Sequence, residues 1–125
     1  MIALLDTAPH VLGYRVHGDV SAEDVARVTR ALDTKTTVLD RINVYAELEH
    51  LGRIAPEAMF KDLVYGLQHL DLLRRVDRAA VVTDTDWVKT VAHLEDLFLP
   101  FEVQHFPLAE REAALAWAER MPVTD

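Results

Sequence analysis

Cysteine is absent, so disulfides, thiolate metal sites and a cysteine nucleophile are excluded from the start. Serine is nearly absent: Ser21 stands alone, without the G-x-S-x-G elbow that would arm it as a nucleophile. Glycine is scarce as well. Gly13, Gly18, Gly52 and Gly66 are the full set, and none is spaced as a phosphate-binding fingerprint. Basic residues are in deficit, 13 Lys and Arg against 21 Asp and Glu, for a net charge of -8. That disfavours a general binder of nucleic acid or anionic membrane, because phosphate affinity needs clustered cations. No apolar run approaches the ~20 residues that span a bilayer. The amino terminus lacks a basic stretch followed by an apolar one, so the expected location is the cytoplasm. The six histidines show no H-x-x-x-H or H-E-x-x-H spacing, and no metal or cofactor is expected.

What is present is an ordinary foldable chain. With 125 residues, 50% of them hydrophobic and 27% charged, it fits one domain over 1–125 with a core of its own. The organising stretch is Asp77 to Trp87, D-R-A-A-V-V-T-D-T-D-W. Ala79 to Val82 is the unbroken apolar run of a strand buried on both faces. Thr83 to Asp86 are all helix-capping types, and an amphipathic segment opens at Trp87. Strand, polar turn and helix make one βα unit.

Upstream, Ile2 to Leu5 and the alternating Leu12, Tyr14 and Val16 flank a short turn and predict an antiparallel hairpin, with Arg15 and His17 looking out from one face. Ser21 is a good N-cap, Asp24 completes a weak capping box, and Val20 and Val25 take hydrophobic-staple positions. Val25, Val28 and Leu32 share a helical face. The spacing predicts a helix ending near Asp33, with Thr34 to Thr37 as a polar connection. Arg41 to Ala46 predicts the next strand, and Glu47 to Ala55 a long irregular segment whose first residues read as a solvated loop. Pro56 suits the first turn of a helix striped by Met59, Phe60, Leu63, Val64, Leu67 and Leu70. Arg74, Arg75 and Arg78 then complement that helix's C-terminus. The helix after Trp87 carries Val88, Val91, Leu94 and Phe98 and stops before Pro100. Phe101 to Phe106 alternates as an edge strand, and Ala114, Trp117, Ala118 and Met121 mark a last helical face.

The order is β-β-α-β-α-β-α-β-α, an α/β fold with a mostly parallel sheet and an antiparallel N-terminal hairpin. Its segments A-A-V-V-T-D-T-D-W at 79 to 87, F-E-V-Q-H-F-P at 101 to 107 and A-L-A-W-A-E at 114 to 119 resemble the SpoIIAA-like proteins. These are small bacterial domains related in fold to STAS and CRAL-TRIO lipid-transfer domains, and the resemblance covers nearly the whole length. It implies a STAS/SpoIIAA-like architecture and no settled biochemical activity. STAS anti-sigma antagonists switch by phosphorylation of a hydroxyl residue at the start of the helix after the third strand. The matching region, Glu47 to Glu57, holds no serine or threonine. A phosphoswitch of that form is not expected.

Ligands of open βα sheets bind beyond the carboxyl ends of the strands. Two sets of residues gather there. Asp84, Asp86, Glu49, His50 and His105 could assemble a metal site or an acid–base pair, or serve simply as caps and solvated loop. Leu51, Ile54, Met59, Phe60 and Trp87 could line a cleft for a small apolar, lipid-like ligand, which the CRAL-TRIO relationship also implies, or belong to the core. The expectation is a non-enzymatic module binding such a ligand, with a STAS-like protein partner as the alternative. A homodimer is the default if copies associate.

Overall fold

Alternation of apolar and polar residues decides which strands form and which way their side chains point. The computed structural model describes residues 1–19, 21–51, 73–84 and 101–120. Within them lie β1 (Ile2–Leu5), β2 (Val11–Gly18), β3 (Ile42–Leu51), β4 (Val76–Val82) and β5 (Glu102–Phe106). They make a five-stranded sheet in sequence order. β1 is antiparallel to β2, and every other pair is parallel. This is the α/β architecture with an N-terminal hairpin that the sequence predicts. The Pro56 and Trp87 helices, Val20 of the staple and Met121 lie outside the described residues.

Helix α1 (Ala22–Val38) packs on one face of the sheet and α2 (Arg111–Glu119) on the other. The start of α1 follows the sequence rule: Ser21 Oγ accepts from the Asp24 N–H at 3.1 Å, and Asp24 Oδ2 accepts from the Ser21 N–H at 3.0 Å. The Ser21 N–H is the main reason the Asp24 carboxyl sits below its usual range, with the Ile2 N–H adding to it. Arg27 Nη1 donates to the Ile2 carbonyl at 3.0 Å, so α1 reaches over β1. Val28 and Leu32 are buried against the sheet, each worth about 1.5–3 kcal/mol of apolar transfer.

Two boundaries differ from the sequence expectation. α1 does not end at Asp33 but continues to Val38, because the threonines of the supposed connection bond back along the helix. Thr34 Oγ1 donates to the Arg30 carbonyl at 2.9 Å, Thr36 to Leu32 at 2.9 Å and Thr37 to Asp33 at 2.8 Å. β3 likewise runs on to Leu51 where a solvated loop was expected. Ala46 and Leu48 keep facing α1 while Tyr45 and Glu47 keep facing α2, so the period of two holds through the charged residues. Arg75 does complement a helix end, though it is that of α1: its Nη1 donates to the Thr36 carbonyl at 3.0 Å.

The registers align residues across the sheet. Leu4, Tyr14, Ala46, Val81 and His105 form one row on the α1 face. Ala3, Arg15, Glu47, Val82 and Phe106 form the next, on the α2 face. On that second face, Ala114 and Ala118 let α2 lie close over Tyr45, Ala80 and Val82. Its C-terminal carbonyls are held from below: Asn43 Nδ2 donates to Ala118 at 2.7 Å and to Arg120 at 3.0 Å, and Arg78 Nη1 to Trp117 at 3.2 Å. The Arg78 guanidinium also stacks 4.8 Å from the Trp117 ring centroid. Gly13 leaves room for Thr7: a Cβ there would come within 2.5 Å of Thr7 Cγ2, so the threonine side chain would have to move.

Candidate functional site at the carboxyl edge of the sheet

The α2 face of β2 and β3 carries a buried carboxylate. Glu47 is 3% exposed, a placement that costs several kcal/mol unless the charge is met by partners. It is met twice. Arg15, its cross-strand neighbour, donates Nε to Glu47 Oε2 at 2.7 Å. Tyr45, two residues back on the same face, donates its hydroxyl to Oε1 at 2.5 Å. Burial pushes the Glu47 carboxyl up. The Tyr45 and Arg15 hydrogen bonds, with the charges of Arg15 and Arg111, outweigh burial and leave it below the usual glutamate value. The same contacts work in reverse on the partners. Burial and the Glu47 bond push the Tyr45 hydroxyl up, and the Glu47 hydrogen bond raises the Arg15 guanidinium. Glu47 is therefore ionised and Tyr45 protonated at neutral pH.

One step nearer the carboxyl edge, Glu49 Oε1 accepts from Arg111 Nη2 at 3.1 Å, and Arg111 Nε donates to the Leu108 carbonyl at 3.1 Å. The first turn of α2 is thus tied to β3. Arg15 and Arg111 remain 41% and 44% exposed at their side chains. The expectation that Arg15 and His17 look outward holds for exposed His17, whereas Arg15 spends its Nε on Glu47.

The residues considered for a metal or acid–base site are dispersed. His105 lies in the row on the α1 face and bonds through Nε2 to the Thr83 carbonyl at 2.8 Å. Glu49 faces α2 and pairs with Arg111. Asp84 Oδ1 accepts the Leu108 N–H at 2.9 Å, at the opening of the turn that leads into α2. Asp86 lies outside the described residues, and for His50 only the backbone, within β3, is described. No group of three His, Asp or Glu among the described residues could hold a metal ion. Of the apolar set, Leu51 is the last residue of β3 and so stands at the carboxyl edge. Ile54, Met59, Phe60 and Trp87 lie outside the described residues.

Sequence reasoning missed the Arg15–Glu47–Tyr45 group. A signal was available: Y-A-E-L-E continues the alternation of I-N-V-Y-A without a break, which places Tyr45, Glu47 and Glu49 on one face.

A model of the SpoIIAA-like family matches residues 11–119. The chain belongs to the SpoIIAA-like family. A crystal structure of an uncharacterised protein with a SpoIIAA-like fold from Shewanella loihica PV-4 superposes with a TM-score of 0.63. The two are 21% identical, over 94% of this chain and 93% of that one, a likeness of fold alone. No match is found among curated proteins. Among the described residues, no helix of this SpoIIAA-like protein is long and apolar enough to cross a membrane.

Proposed function

We propose that this SpoIIAA-like protein is a non-enzymatic binding module, one unit over 1–125, that takes a small apolar, lipid-like ligand at the carboxyl edge of its sheet. What supports the reading is the division of that edge by face. On the α2 side Glu47, Glu49 and Asp84 are each engaged by a named partner, and Glu47 is held below the range in which a carboxylate accepts a proton at neutral pH. On the α1 side Val16, Leu48 and Val81 are apolar and buried. β3 delivers Leu51 to the same edge. Leu51, Ile54, Met59, Phe60 and Trp87 are the proposed lining. Native mass spectrometry of gently purified protein tests it. A co-purifying or added acyl species that stays bound is the expected result, and a bare mass that ignores added acyl chains overturns it.

A second reading, a STAS-like interaction or regulatory module without the phosphoswitch serine, draws on the half-exposed guanidinium groups of Arg15 and Arg111. A copy of the chain is its simplest partner, and light scattering during size-exclusion chromatography reports it.

A further inference from the structure

A buried carboxylate is a costly way to hold an arginine that stands half in water. Buried ion pairs are weak stability devices, since apolar residues of similar volume commonly do as well. What Glu47 does supply is orientation. Both its oxygens are taken, Oε1 by the Tyr45 hydroxyl at 2.5 Å and Oε2 by Arg15 Nε at 2.7 Å. The guanidinium of Arg15 is thereby fixed through its Nε edge, and neither Nη group makes a hydrogen bond among the described residues. Arg111 is fixed in the same manner. Its Nε meets the Leu108 carbonyl and its Nη2 meets Glu49, which leaves Nη1. Glu47 and Glu49 stand two residues apart on one face of β3, roughly 6.5 Å along the strand. The charge of Arg111 acts on Glu47 and that of Glu49 on Arg15, so each cation lies within electrostatic reach of the other's carboxylate. On β1 the row neighbour of Arg15 is Ala3, a small residue that leaves the flank of the guanidinium open.

We propose that Arg15 and Arg111 form a clamp for the phosphate group of a small molecule, free phosphate or a phosphate monoester, on the α2 face between β2 and the start of α2. The clamp is separate from the apolar ligand proposed above and does not depend on it. Geometry selects the tetrahedral oxyanion. A planar carboxylate is satisfied by one guanidinium fork, whereas phosphate has oxygens enough for donors that arrive from two elements. Charge selects the size. A net charge of -8 repels a polyanion such as nucleic acid, and a single phosphate needs only the local donors. Glu47 and Glu49 offset the two cations, so affinity comes from directed N–H groups and not from an excess of positive charge.

The test titrates the full chain with inorganic phosphate, and separately with acetate, near neutral pH and at low ionic strength. The readout is the pair of side-chain Nε–H resonances of Arg15 and Arg111 in isotope-labelled protein. Both are expected to shift together and saturate with phosphate, and to move less with acetate. Methyl phosphate distinguishes the source: tighter binding than inorganic phosphate assigns a monoester, weaker binding the free ion. Arg15→Lys keeps the charge but removes the fork, and should weaken phosphate binding about tenfold, the worth of one charge-assisted hydrogen bond. Glu47→Gln separates orientation from charge. It removes a negative charge beside the site, yet should bind phosphate more weakly, because Arg15 loses the carboxylate that aims it. Tighter binding by Glu47→Gln reduces the two arginines to exposed cations and overturns the clamp. So does a shift of one resonance without the other, an equal response to acetate, or a response that never saturates.

Discussion

On the α1 face, apolar side chains from β2, β3 and β4 meet Val28 and Leu32. On the α2 face, beside a second apolar cluster, Arg15 and Tyr45 both bond Glu47, and Asn43 and Arg78 hold the end of the helix by its carbonyls. The first arrangement is non-directional and draws its stability from area removed from water. The second is directional, and its weight lies in the penalty for leaving a buried group without its partner. One sheet therefore carries two kinds of cohesion, and they should respond to different perturbations.

The largest expected effect is on the apolar face. Leu32→Ala should lower unfolding free energy by about 2–5 kcal/mol, measured by urea denaturation, because the site is nearly closed to water. A loss below 1 kcal/mol would erase the distinction between the faces. Next comes the polar face. Arg15→Met leaves Glu47 with Tyr45 as its one remaining donor among the described residues and should cost about 1–3 kcal/mol. The figure stays under that for a fully buried pair because Arg15 is 41% exposed, so its side of the pair is already screened by water. Combining it with Glu47→Leu and Tyr45→Phe, so that the Tyr45 hydroxyl is not left without its acceptor, should recover most of the loss, since a hydrophobic cluster carries no desolvation penalty. A triple variant worse than the single one would mean that the polar group supplies net stability.

The smallest effect is on pH dependence. The folded Glu47 carboxyl sits below its ordinary value of 4.5, so its contribution is present above that pH and is lost as pH falls through the folded value. Stability of the wild type should therefore fall more steeply with acidification below about 4.5 than that of Glu47→Gln. Leu32→Ala should keep the wild-type slope. Melting temperatures between pH 3 and pH 7 decide it, and identical slopes in wild type and Glu47→Gln would take the charge out of the account.

Features written in local pattern were the legible ones. The run from Ala79 to Val82, the hairpin and the Ser21–Asp24 capping box all announce themselves that way, and each stands where the sequence places it. The buried Arg15–Glu47–Tyr45 group was not legible. Glu47 and Glu49 look the same in sequence whether solvated or engaged, because what settles their fate is distant along the chain: Arg15, 32 residues away, for Glu47 and Arg111, 62 residues away, for Glu49. The three threonines at the end of α1 mislead in a similar way. Their hydroxyls read as connection chemistry until the helix gives them carbonyls to bond. Of the apolar site residues, Leu51 alone lies among the described ones, at the expected edge.

The reach of α1 over the first strand has one more consequence. A sheet lengthens when a stray extended segment finds unpaired amides along its border. At Ile2 such a segment would meet the Asp24 carboxylate and the Arg27 guanidinium already occupying those groups. Growth from that flank is obstructed by a charged bumper, and a template that is blocked on one flank cannot propagate a fibre from both.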